Sequence, residues 1–284
     1  MDEFEEYRPM LFGIAYRMLG SVMEAEDMVQ ETYLRYKATP ADHIQMPRAF
    51  LSTVITRLCL DQLKSARMQR ETYLGPWLPE PLVTEGLPAQ HLNQLESLSM
   101  AFLVVLESLS PLERAVFLLR EVFDYDYAEI AQIISRDEAA CRQLFSRAKK
   151  HVVAHRPRFE ASSEAHHEML TRFIAACQSG DLNALTGMLA QDVTSWSDGG
   201  GKSQAATRPV QGRDSVARYF IGLSKKLPAA TTFELAHING HPGLILRSEG
   251  RVFLTLTLEI NEGVIHGLRQ VLNPDKLAHL NTGE

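Results

Sequence analysis

The stretch DYAEIAQIISRDEAACRQLFSRAKK, residues 126–150, decides how this chain is read. Asp126 followed three residues later by Glu129 has capping-box spacing, so a helix is expected to begin at Tyr127. Ile130, Ala131, Ile133 and Ile134 put apolar groups on one side of it, a turn is expected at Ser135-Arg136, and Asp137 caps a second helix. Cys141, Phe145, Ala148 and Val152 recur at three- and four-residue spacing and form that helix's buried stripe. This is the spacing of a helix-turn-helix. Ser135 stands where such turns often use glycine, a cost of about 1 kcal/mol if the backbone is left-handed there. The other side of the second helix presents Arg142, Gln143, Ser146, Arg147 and Lys150, donors suited to phosphates and, for Arg and Gln, to base edges in a major groove.

Working outward, helical periodicity runs from about Leu92 to His155, with a second cap at Ser110-Pro111-Leu112-Glu113. The preceding stretch, Gly75 to Pro88, carries Pro76, Pro79, Pro81 and Pro88 and reads as a linker, not a helix. Before it, apolar positions such as Phe12, Tyr16 and Leu19, then Phe50, Val54 and Leu58, indicate helices up to about Arg70. Gly20-Ser21 breaks them, and an exposed loop is expected from Thr39 to Pro47. After Pro157 the pattern changes. Helices are expected over about Glu164–Gln178, Leu182–Ala190 and Asp214–Lys225, with a Gly-rich loop, Asp198-Gly199-Gly200-Gly201-Lys202, before the last of these. β-type runs follow over 231–238, 243–247, 252–260 and 264–272, separated by Asn239-Gly240, Gly250 and Asn261-Glu262-Gly263. Helices followed by antiparallel hairpins imply an α+β domain.

The 284 residues allow two or three compact units, and 45% hydrophobic with 23% charged residues argues for a folded chain. Charge is unevenly spread. Residues 1–31 hold eight acids and two bases, net −6, whereas 136–158 hold seven bases and two acids, net +5. The first surface suits a basic protein and the second a nucleic acid. Cys59, Cys141 and Cys177 are too scattered for a disulfide framework or a thiolate zinc site. With an acidic start and no membrane-length apolar run, a cytoplasmic protein without membrane contact is expected.

The order Glu24-Ala25-Glu26-Asp27-Met28-Val29-Gln30-Glu31-Thr32-Tyr33-Leu34, then Arg48-Ala49-Phe50-Leu51 with Arg57 and Asp61, then the helix-turn-helix, resembles bacterial extracytoplasmic-function (ECF) sigma factors from domain 2 through domain 4. Trp77-Leu78-Pro79-Glu80-Pro81, the loop 198–202 and Asn273-Pro274-Asp275-Lys276-Leu277 resemble signatures of the subgroup with a fused SnoaL-like, NTF2-like C-terminal domain. The resemblance implies four segments: sigma domain 2 over 1–72, the linker over 73–92, sigma domain 4 over 93–158, and an α+β NTF2-like cone over 164–284. It implies core RNA polymerase (β′ coiled coil and β flap) and promoter DNA as partners, with no cofactor, no metal and no catalysis.

By the same resemblance, Glu26, Asp27, Gln30, Glu31 and Leu34 meet the polymerase. Arg48, Arg57, Lys64 and Arg67 serve the −10 element, and Arg142, Gln143, Ser146, Arg147 and Lys150 the −35 element. Leu58, Ala140 and Leu144 depart from residues frequent in relatives, so promoter sequence does not transfer. The loop 198–202 and the tail 273–277 are expected to pack near the linker and bias the spacing of the DNA-binding domains, with a ligand or protein partner of unknown identity acting through the C-terminal domain. Two alternatives stay open: a stand-alone helix-turn-helix regulator, and an active isomerase- or cyclase-like C-terminal domain with Asp192, Asp198, His241 or His266 as acid or base and Trp196 as a wall.

Overall fold

The computed structural model describes residues 3–85, 97–155 and 162–281. The chain divides into two compact units: Met1–Thr72 with Phe102–Arg156, and Tyr73–Ala101 with Pro157–Glu284. The described part of the linker thus belongs to the second unit. Residues 86–96 and 156–161, which include the linker's expected end and both expected edges of the 93–158 segment, lie outside the described residues.

The first unit is helical: α1 (Glu3–Leu19), α2 (Val22–Ala38), α3 (Pro47–Glu71), α5 (Pro111–Glu121), α6 (Tyr127–Ile134) and α7 (Glu138–His155), with α4 (Met100–Glu107) leading into it. Ser21 caps α2 by accepting from the Glu24 amide. Both expected capping boxes are present, Ser110 with Glu113 and Asp126 with Glu129. Each satisfies amides that the first helical turn leaves without a partner. Leu11, Ile14, Tyr16, Val29, Leu51 and Ile55 are buried, as are Val116, Leu118, Ile130 and Cys141. The expected loop at 39–47 carries a short 3-10 turn, Ala41–His43, and ends as α3 begins at Pro47.

In the second unit α8 (Ser163–Ser179), α9 (Leu182–Met188) and α10 (Arg213–Ser224) accompany a sheet of β1 (Leu189–Asp198), β2 (Val210–Gln211), β3 (Thr231–Ile238), β4 (His241–Ser248), β5 (Arg251–Asn261) and β6 (Val264–Val271). The sheet order is β2-β1-β6-β5-β4-β3. Leu170, Phe173, Leu185, Val216 and Phe220 from the helices share one core with Leu244, Leu246, Leu256 and Leu268 from the sheet. This is the α+β arrangement expected of the C-terminal domain.

Two expectations are corrected. The helix expected to reach Ala190 ends at Met188, and the chain continues as β1, a ten-residue strand. The sheet is also not built of hairpins alone, because β1 pairs with β6 in parallel, from Thr194 opposite Gly267 to Asp198 opposite Val271. That pairing delivers Asp198 to the end of β6, just before α11 (Pro274–Leu277).

Candidate functional sites

The acidic helix α2 is amphipathic. Val22, Ala25, Val29 and Thr32 are buried, while Glu26, Asp27, Gln30 and Leu34 are exposed and Glu31 is half-buried. Asp27, Gln30, Glu31 and Leu34 follow i, i+3, i+4, i+7 spacing and share one face. Glu26 pairs with Arg8 at 2.8 Å and Glu31 with Arg35 at 2.9 Å, both solvent-exposed contacts. Leu34 is 55% exposed, an apolar group beside the acids.

Arg142, Gln143, Ser146, Arg147 and Lys150 all lie on the exposed side of α7, opposite Cys141, Ala148 and Val152. Asp137 caps the helix by accepting from the Ala140 amide. Arg142 lies over the Tyr127 ring at 4.9 Å and pairs with Glu138, which positions its guanidinium across the helix-turn-helix. Ser135 is left-handed, with φ 54°.

The α3 cations are divided. Lys64 is exposed and pairs with Asp61 at 2.7 Å. Arg57 instead donates within the same unit to the Ile133 and Gln132 carbonyls at the end of α6 and to Ser135 Oγ, and Arg48 to the Phe123 carbonyl ahead of α6. The side chain of Arg67 lies outside the described residues.

The three C-terminal motifs meet at one carboxylate. Asp198, fully buried, accepts from the Tyr73 hydroxyl and the Gly200 amide on Oδ1, and from the Leu78 amide and the Lys276 ammonium on Oδ2. Lys276 also donates to the Leu78 carbonyl, and its ammonium lies over the rings of Trp77 at 4.1 Å and Tyr73 at 5.0 Å. Charge neutralisation, hydrogen bonds and two ring faces together make burial of this ammonium tolerable. Burial and the Asp198 carboxylate push the Tyr73 phenol upward, so it remains a donor.

Asn273 caps α11 by accepting from the Asp275 amide and donates to the Tyr73 hydroxyl. A side chain at Gly200, φ 57°, would place its Cβ 2.3 Å from Asn273 Nδ2, and one at Gly199 would collide with the Ser203 carbonyl at 2.7 Å. The triple glycine is therefore a close-approach device. Gly201 and Lys202 are exposed, and Lys202 pairs with Asp275 on the surface. Leu78, Pro79, Glu80, Pro81 and Leu277 are buried, whereas Pro274 is exposed.

Farther along, the linker extends the sheet. Val83 bridges to Ile238, the Thr84 amide donates to the His237 carbonyl, and Asn239 exchanges bonds with both backbone groups of Leu82. Sequence reasoning missed Tyr73 and Asn239. The Asn-Gly pair signalled only a turn, and Tyr73 carried no motif.

The residues proposed for acid–base chemistry do not converge. Asp192 has an 87% exposed side chain, 3.9 Å from the half-exposed His266. His241 stacks on His166, and Asp198 is committed to the linker. Trp196 lies beneath the Arg269 guanidinium. The narrow apolar cavity of the domain is lined by Phe173, Cys177, Phe220, Phe233, Leu244 and Gln270 among others, and by none of these candidates.

The first unit thus combines a helix with an acidic exposed face and a helix-turn-helix whose exposed side is cationic. A model of Sigma-70 region 2 matches residues 4–68, and one of Sigma-70 region 4 matches residues 99–152. The ECF RNA polymerase sigma factor SigJ of Mycobacterium tuberculosis is 39% identical over 290 residues, covering 97% of this chain and 92% of its own. The crystal structure of that protein has a TM-score of 0.78 at 37% identity, covering 97% of each chain. The probable ECF sigma factor SigI of the same species is 39% identical over 64% of each. This chain belongs to the ECF RNA polymerase sigma factors. Membership implies binding of core RNA polymerase and promoter DNA, and a factor that is not itself an enzyme. Among the described residues no helix is long and apolar enough to cross a membrane.

Proposed function

We propose that this sigma factor docks on the β′ coiled coil of core polymerase through Glu26, Asp27, Gln30, Glu31 and Leu34, with region 4 on the β flap. Arg48, Arg57, Lys64 and Arg67 then serve the −10 element. Arg142 and Gln143 read −35 bases, while Ser146, Arg147 and Lys150 hold the backbone. A factor acting on polymerase and promoter DNA works in the cytoplasm, and this reading assigns it no membrane partner.

The C-terminal domain tunes promoter use by gripping the linker that joins regions 2 and 4. The observation that carries this is one fully buried carboxylate, Asp198, bonded to Tyr73, the Leu78 amide and Lys276 at once. Holding residues 73–84 on the domain shortens the chain free to span the two promoter-reading regions. A small ligand or protein that favours the released linker changes activity by its differential affinity for the two states.

The docking assignment is tested by reversing charge at Asp27→Lys with Glu31→Lys in the full chain. Loss of holoenzyme assembly, with helical content retained, is expected. Assembly at wild-type affinity would remove α2 from the polymerase interface.

A further inference from the structure

The apolar cavity of the second unit has a closed end and an open one. Phe173, Phe220, Leu246, Leu256 and Gln270 on its wall are buried. Ile174, Leu223 and Leu227 are only half-buried and Phe233 is 39% exposed, so it opens where α8, the end of α10 and β3 come together. Among the described residues no charged side chain lines it. Its polar groups are already engaged: Gln270 Nε2 donates to Ser195 and Ser197, and Ser224 Oγ to the Cys177 carbonyl. Burial pushes the Cys177 thiol up to about 12, so that part of the wall is neutral too.

Size and chemistry then select the occupant. The cavity holds about 60 Å³, less than half of the roughly 150 Å³ in which a dry apolar cavity accepts a benzene ring. A ring is too broad, and a sugar or nucleotide would bring polar groups that find no partner on this wall. An unbranched alkyl chain is slender and carries no polar atom along its length. The mouth adds a charge. Lys225 and Lys226, both exposed, lie in the chain between the lining residues Ser224 and Leu227, while Glu234, next to Phe233, is held by Arg247.

We infer that this cavity takes the tail of an unbranched fatty acid, with the carboxylate at Lys225 and Lys226. The inference names the ligand class for the C-terminal domain and rests on linker control only for its effect on transcription. Binding is measured on the free chain, so either idea fails without the other.

The test is calorimetric titration of the full chain with hexanoate, octanoate, decanoate and dodecanoate. Affinity should rise about fourfold per added methylene until the cavity is full, with a negative heat-capacity change from apolar burial. Naphthoate, a carboxylate on a ring system, should not bind. Ile174→Trp in α8 and Leu227→Trp beyond α10 each plug the mouth and should abolish decanoate binding. Lys225→Glu with Lys226→Glu should weaken decanoate about tenfold and leave decanol unchanged. Four results overturn the proposal: no saturable binding across the series, affinity independent of chain length, naphthoate bound as well as decanoate, or decanoate affinity unchanged in both tryptophan variants. Decanoate affinity unchanged by the charge reversal overturns the placement of the carboxylate.

Discussion

The Asp198 carboxylate lies 2.7 Å from the Lys276 ammonium with both side chains almost wholly buried, and the linker amide of Leu78 bonds to the same oxygen. The pair cannot lose one member cheaply, because the other is left as an uncompensated buried charge. Asp198→Asn is expected to destabilise the second unit by about 3–5 kcal/mol. Asp198→Asn with Lys276→Met should recover part of that loss. Chemical denaturation of the full chain, followed through Trp77 and Trp196 fluorescence, checks the order of the three stabilities.

Gly200 and Gly212 both have positive φ, yet only at Gly200 would a Cβ meet other atoms. Gly212→Ala should cost about 1 kcal/mol of backbone strain, and Gly200→Ala clearly more because Asn273 must move. Equal losses of thermal stability in the two variants would mean that the tail does not press on the loop.

On α7 the two kinds of contact separate by salt. Arg147→Ala or Lys150→Ala should weaken binding to all promoter DNA alike and lower the slope of log affinity against log salt by about one. Gln143→Ala should leave that slope intact while relaxing −35 sequence preference. Binding measured from low to moderate salt on two −35 sequences distinguishes them.

His166 is 3% exposed and its Nε2 is buried without a hydrogen-bond partner. Burial first, then the neighbouring His241 and His237, lowers its pKa from 6.5 to about 4. The unfolded chain therefore binds a proton that the folded one refuses between those values. Stability from the neutral ring is full above pH 6.5 and is lost as pH falls toward 4. His166→Phe should flatten this part of the stability–pH curve, and an unchanged slope in the variant would assign the dependence to other groups.

The local parts of this architecture were legible in the sequence because their signals are local. The capping boxes at Ser110 and Asp126 fixed two helix starts, and the stripe through Cys141, Ala148 and Val152 fixed which side of α7 faces out. β1 was not legible. Its pairing with β6 is parallel and remote in sequence, and Gln191 and Asp192 interrupt its alternation. The convergence on Asp198 was foreseen only as motifs lying near one another, since nothing in the residues around 198 announces a hydroxyl at Tyr73. Arg57 read simply as a cation, because a guanidinium suits a phosphate and a helix C-terminus equally well.

The most direct test of linker control is run-off transcription by holoenzyme reconstituted with the full-length Asp198→Asn protein, on promoters selected with the wild type. Promoter output should fall several-fold while affinity for core polymerase is unchanged. Wild-type output, with Trp77 fluorescence showing the linker released, would contradict the account.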